Sequence, residues 1–237
     1  MSTSSVRTGR NGPKEVTRLN SYKVKGIIFD MDNTILRSKI NFSAMKAEIS
    51  QYLLDNRLLH ENFPVNDHTT STIIEHVQRS EHWDIHLQEI LWDIAKKHEL
   101  MGMSGADLEP GAREILLELH GKFKMVILTN NSYTAAMSAL LNHRINPFFE
   151  TVIGREQMKF MKPAPDGVYA ILNKYPNHSA DDWISVGDAW IDGKASQDAG
   201  VKFISYQGDI DRMRSKGVIP IASIDDLAQL ASYIRRV

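Results

Sequence analysis

The chain has 237 residues, 42% of them hydrophobic, which is enough for one large domain or for a core domain carrying a smaller insertion. Its 28 basic and 29 acidic residues leave a formal net charge of -1, so no global field points to nucleic acid, a membrane surface or another polyanion, and any anion recognition has to be local. Cysteine is absent, which removes disulfides, thiol catalysis and thiolate metal sites together.

Residues 1–21 are polar and carry Arg7, Arg10, Lys14 and Arg18 against Glu15, the pattern of a mobile tail. No apolar run reaches the roughly 18 residues of a membrane span, and the amino terminus lacks the apolar stretch of a signal peptide, so a cytoplasmic location is expected. Apolar runs at 24–29, 125–128, 151–153, 183–186 and 201–205 read as strands. Helical spacing is read at 112–119, 134–141, 166–173 and 224–234. Strands alternating with helices predict an α/β fold, a doubly wound, Rossmann-like parallel sheet covered on both faces, with ligands at the carboxyl ends of its strands.

Residues 38–108 break this rhythm. Three apolar stripes follow one another there: Met45, Ile49, Tyr52 and Leu53; then Ile73, Ile74 and Val77; then Leu87, Ile90, Leu91 and Ile94. They predict an inserted all-helical subdomain, with 22–37 and 109–237 forming the core. Leu108-Glu109-Pro110-Gly111 marks the return.

The chemistry begins where the first strand ends, in Phe29-Asp30-Met31-Asp32-Asn33-Thr34. In an extended segment, residues two apart point the same way, so Asp30, Asp32 and Thr34 are expected to converge. Two carboxylates held that close call for a cation or a shared proton. After the second strand, Thr129-Asn130-Asn131-Ser132 offers a hydroxyl and a row of N–H groups opening a helix, which suits an anion or a simple helix cap. Lys162 precedes the stiff turn Pro163-Ala164-Pro165, and Lys159 is a second candidate for the functional cation. Gly187-Asp188 and Asp192 add two oxygen donors of the kind Mg2+ prefers, although Asp192 also suits a helix cap.

In this order, at the ends of successive strands, the motifs resemble those of the haloacid dehalogenase-like hydrolase superfamily. The helical insertion after the first motif is similar to the cap of the subgroup that includes phosphoglycolate phosphatases and beta-phosphoglucomutases. The resemblance implies a Mg2+-dependent phosphatase acting on a small phosphorylated metabolite. Asp30 would be the nucleophile, forming an aspartyl-phosphate, and Asp32 the general acid and base. Thr129, Asn130, Lys162, Met31 and Thr34 would hold the phosphoryl group. Asp188, with Asp30 and Asp32, would hold the metal, and Asp192 would be a ligand or stand behind one. The second acid, Asp32, disfavours carbon–halogen hydrolysis. Asn33 stands where many relatives have glycine, and asparagine tolerates the left-handed backbone region that such a turn needs. A phosphomutase acting on a sugar phosphate, and an idle binding module of the same fold, are the alternatives.

Two basic residues, Arg37 and Lys39, follow the first motif closely enough to meet a substrate anion, with a plain surface charge as the alternative reading for both. His82 and His86 have i, i+4 spacing but lack a third ligand, so packed or solvated histidines are expected rather than zinc. Trp83 and Trp92 are expected to pack within the insertion.

Overall fold

The computed structural model describes residues 24–234; the basic residues of the amino-terminal segment lie outside them. The central sheet has six parallel strands in the order β5-β4-β1-β6-β7-β8. They are β1 (Gly26–Phe29), β4 (Lys124–Leu128), β5 (Thr151–Ile153), β6 (Trp183–Gly187), β7 (Lys202–Tyr206) and β8 (Ala222–Ile224). A short antiparallel ribbon pairs β2 (Leu36–Arg37) with β3 (Asp107–Leu108).

β1 is buried along its whole length, and that is why its sequence is a continuous apolar run rather than an alternating one. The helices of the core bury one stripe each. In α4 (Ala112–Leu119) the stripe is Ala112, Ile115, Leu116 and Leu119, at i, i+3, i+4 and i+7. The crossovers also carry α5 (Tyr133–Asn142), α6 (Asp166–Lys174), α7 (Trp190–Asp198) and α8 (Ile210–Ser215), and α9 (Leu230–Ile234) ends the described chain.

Between the two strands of the ribbon lie α1 (Phe42–Asp55), α2 (Thr70–Gln78) and α3 (Ile85–Ser104). Their buried residues include Met45, Ile49 and Leu53 on α1, Ile73, Ile74 and Val77 on α2, and Leu87 and Leu91 on α3. The insertion is joined to the core through the ribbon, where Leu36 faces Leu108 and Arg37 faces Asp107.

One expectation needs correction. Residues 224–234 are not one helix: Ile224 ends edge strand β8, Asp226 caps the next turn by accepting from the Ala228 N–H at 2.8 Å, and α-helix starts only at Leu230. The helical apolar spacing was real, but Asp225-Asp226 interrupts it with a cap. After β6, α7 begins at Trp190 and places Asp192 in its first turn.

Register fixes the site. Phe29 is level with Ile127 on one side and Val186 on the other, so the chain leaves the sheet at adjacent points after β4, β1 and β6. Strand β1 lies between β4 and β6, where crossovers diverge to opposite sides of the sheet, and such a switch point opens a crevice at the strands' carboxyl ends.

Candidate active site

Asp30 is the first residue past β1, and its N–H continues the ladder by donating to the Val186 carbonyl at 2.9 Å. The chain then turns sharply. The Met31 carbonyl accepts from the Ile35 and Leu36 N–H groups, and Asn33 takes a φ of 54° in the left-handed region that asparagine tolerates. Because the strand has ended, alternation does not carry through to Thr34. Asp30 and Asp32 both line the cavity, whereas Thr34 is fully buried outside it with its hydroxyl unpartnered. Met31, also fully buried, does not line the cavity.

Lys162, in the segment between β5 and α6, reaches the same point. The residue is 2% exposed, and its ammonium donates to Asp30 Oδ1 at 2.6 Å, to Asp192 Oδ1 at 2.6 Å and to the Leu128 carbonyl at 2.8 Å, which uses all three of its protons. Lys159 is exposed and lies over the Phe160 ring. The other oxygen of Asp192 accepts from the Ala189 N–H at 3.0 Å, so this carboxylate caps α7 and anchors Lys162 at once. Gly187 allows the approach, because a Cβ there would lie 2.7 Å from the Asp192 carboxyl group.

The loop after β4 supplies the remaining polar groups. Thr129, fully buried, lines the cavity, and its hydroxyl accepts from the Asn131 N–H at 3.1 Å. Asn130 clasps the Lys162 peptide, donating to its carbonyl and accepting from its N–H, both at 2.9 Å. The Asn131 amide donates to Asp32 Oδ2 at 2.6 Å, while Asp32 Oδ1 has no hydrogen bond of good geometry. Asp188 is half-buried and accepts weakly from the Asn33 amide at 3.5 Å.

Four carboxylates therefore surround one ammonium, and the imbalance shows in their proton affinities. Burial, then Asp192, pushes Asp30 well above the ordinary carboxylate range, with Lys162 opposing. Burial lifts Asp32 to about 6, against the pull of the nearby Ser38 hydroxyl and the Asn131 amide. Burial and Asp192 lift Asp188 to about 7. Burial alone would lower Lys162, but Asp192 and Asp30 overcome it and hold the ammonium charged. Protons or a cation must compensate the excess negative charge. Among the described residues, Asp30, Asp188 and Asp192 form the one group of three acidic or histidine side chains whose ligand atoms lie within 4.8 Å of one another.

Arg37 and Lys39 do not line the cavity. Arg37, on β2, pairs with Glu109 at 3.4 Å, and Lys39, two residues further on, pairs with Asp107 at 3.7 Å, both side chains being exposed. Two buried charges that sequence reasoning missed do line it, Glu99 of α3 and Arg155 after β5. Glu99 occupies a buried-face position of α3, in step with Leu91, Ala95 and Met103, and Arg155 follows the carboxyl end of a strand. Those placements were the available signals.

A family model described as haloacid dehalogenase-like hydrolase matches residues 27–206, from β1 to the end of β7. The chain belongs to the haloacid dehalogenase-like hydrolases. Phosphatases recur among the similar proteins of this family. A phosphoglycolate phosphatase of Yersinia pestis is 26% identical over 193 residues, covering 75% of this chain and 78% of that protein. A phosphoglycolate phosphatase of Rhodobacter capsulatus is 29% identical over 115 residues, but the match spans about half of each, 48% of this chain and 51% of that protein. Two solved structures show the same fold. A haloacid dehalogenase-like hydrolase from Bacteroides fragilis has a TM-score of 0.65 at 18% identity, covering 89% of this chain and 100% of that one. The magnesium-bound hydrolase YfnB from Bacillus subtilis has a TM-score of 0.59 at 19% identity, covering 90% and 100%. No helix among the described residues is long and apolar enough to cross a membrane.

Proposed function

We propose that this member of the family is a Mg2+-dependent phosphatase that hydrolyses a small phosphomonoester through an aspartyl-phosphate on Asp30. The observation that carries the reading is the Lys162 ammonium held 2.6 Å from Asp30 at the carboxyl ends of the strands, in a cavity that also contains Asp32 and the Thr129 hydroxyl. The cavity holds about 360 Å3 and is walled on its other side by the inserted helices, through residues such as Met45, Lys46 and Ile74. That is the low end of the range for small-molecule pockets. Residues 38–108 act as the cap, which excludes water and contacts the rest of the substrate.

The donor set fits magnesium. It is all oxygen, and the raised proton affinities of Asp30 and Asp188 are those of carboxylates awaiting a cation. Asp192 has both oxygens engaged by Lys162 and Ala189, so Asp30, Asp188 and the Asp32 carbonyl would hold the ion while Asp192 holds the lysine. Bound there, Mg2+ would neutralise charge on the phosphoryl oxygens.

The chain's own residues do the rest. An Asp30 oxygen attacks phosphorus as the bond to the ester oxygen breaks, and Asp32 delivers a proton to that leaving oxygen. Asp32 then takes a proton from the water whose oxygen attacks the phosphorus, freeing phosphate and restoring the Asp30 carboxylate. A carboxyl group at about 6 suits both directions of transfer near neutral pH. Lys162 and the Thr129 hydroxyl stabilise charge spread over the equatorial oxygens of a loose transition state. Phosphate release from a panel of small phosphomonoesters tests the proposal: release should require Mg2+ and stop with chelator. Conversion of a sugar phosphate to its isomer without free phosphate would instead identify a mutase.

A further inference from the structure

We infer that Glu99 and Arg155 are positioning residues that dock the third inserted helix onto the loop 129–132 and thereby hold Asp32 and Thr129 in working geometry. Both side chains are 2% exposed. One oxygen of Glu99 accepts from Arg155 Nη1, and the other accepts from the Ser132 N–H at 2.9 Å. Arg155 donates from Nη2 to the Trp92 carbonyl at 2.9 Å and from Nη1 to the Asn130 carbonyl at 3.4 Å, and its own N–H reaches the Asn131 carbonyl at 3.0 Å. Trp92 and Glu99 are seven residues apart on α3 and so share a face, and one guanidinium from the sheet side grips two turns of the inserted helix.

The loop held in this way is the one that builds the site. Asn131 fixes Asp32, Asn130 fixes the Lys162 peptide, and Thr129 lines the cavity. A buried ion pair is weak as a stabiliser, and an apolar pair of similar volume commonly leaves a fold as stable. What an apolar pair cannot supply is an acceptor for the Ser132 N–H and a donor for the Asn130 carbonyl. The charges therefore act on the geometry of the loop, and they make that geometry depend on where the inserted helix sits. Among the described residues, no other ion pair with both side chains this buried joins the insertion to the core.

The kinetic arm of the test rests on the phosphatase reading, and the exchange arm does not. The double variant Glu99→Met/Arg155→Met and the single variant Glu99→Gln would be compared with the native chain. Three readouts are taken: melting temperature, kcat and KM on the best phosphomonoester, and amide hydrogen exchange at residues 130–133. For the double variant we expect a folded protein whose melting temperature falls by only a few degrees, because the ion pair itself contributes little while the buried Ser132 N–H loses its acceptor. Its kcat should fall about 100-fold with KM changed less than about threefold, as misplaced catalytic groups produce, and exchange at 130–133 should accelerate. Native kcat together with native protection in the double variant would make the pair merely structural and overturn the inference. Where the double variant does not fold, Glu99→Gln carries the same readouts, because one amide oxygen cannot serve both Ser132 and Arg155. Absence of turnover in the native chain would defeat the phosphatase reading, and the exchange arm would then decide: faster exchange upholds the docking role and unchanged exchange removes it.

Discussion

Lys162 Nζ and Asp192 Oδ1 lie 2.6 Å apart with both side chains almost fully buried, which makes Asp192 the anchor of the lysine that faces Asp30. Removing the ammonium leaves Asp30 and Asp192 without the cation that donates to both. Lys162→Met should therefore lower kcat by about 100-fold or more, the scale of losing a charge aimed at the transition state. Asp192→Asn should lower it by a smaller factor, since the neutral side chain still accepts from Lys162 or Ala189. Steady-state kinetics on both variants checks the order, and a larger loss in Asp192→Asn than in Lys162→Met would assign Asp192 a more direct role.

Asp32 has one oxygen fixed by Asn131 and the other without a good partner, the arrangement of a group that exchanges protons with substrate. Asp32→Asn should slow turnover of alkyl phosphates by about 100-fold to 10,000-fold, the usual worth of general acid–base catalysis. Aryl phosphates, whose leaving oxygen needs no proton, should lose less in the first step. Single-turnover formation of the phosphoenzyme with both classes of ester measures this, and equal losses would count against proton delivery by Asp32.

The acidic cluster makes stability depend on pH and metal together. Asp32 and Asp188 sit at about 6 and about 7 when folded, above their ordinary value of 3.8, so the folded chain binds more protons than the unfolded one in that window. Their contribution to stability therefore falls as pH rises from about 4 to about 7 in metal-free protein. Lys162 is charged throughout this range and adds no slope. A cation competes with the protons, so the rise in melting temperature on adding Mg2+ should be larger at about pH 8 than at about pH 5. Thermal melts with chelator and with Mg2+ at both values check this, and an equal shift at the two pH values would contradict it.

Gly187 is required by contact rather than by backbone angle. A Cβ there meets the Asp192 carboxyl group at 2.7 Å, so Gly187→Ala has to push that carboxylate away from Lys162 and Ala189. The expected cost is about 1–3 kcal/mol of stability, as for other overpacked sites, with kcat reduced alongside it. Denaturant unfolding and kinetics on the variant test both parts.

Sequence patterning made the inner strands β1, β4, β6 and β7 legible because they are buried on both faces and read as unbroken apolar runs, whereas edge strand β8, with Ser223 exposed, was read as the start of a helix. The positions of Asp30, Thr129 and Asp188 followed from the rule that ligands gather at carboxyl ends of strands. Thr34 was misplaced because alternation was carried beyond Phe29, where β1 ends and Asn33 turns the chain. Arg37 and Lys39 were close to the motif in sequence, but both side chains are exposed and pair with Glu109 and Asp107. Glu99 and Arg155 were not found because a pairing across 56 positions has no local periodicity to reveal it. The choice between Lys159 and Lys162 likewise needed tertiary contacts, which bury only Lys162.

The most direct test of the account is to trap the covalent intermediate. The native chain would be mixed with substrate and Mg2+, quenched in acid during turnover, and its peptides mapped by mass spectrometry. One phosphoryl group on the peptide carrying Asp30, absent from Asp30→Asn along with turnover, is the predicted result. Turnover that persists in Asp30→Asn, or that proceeds with the label on another residue, would contradict the assignment of Asp30 as nucleophile.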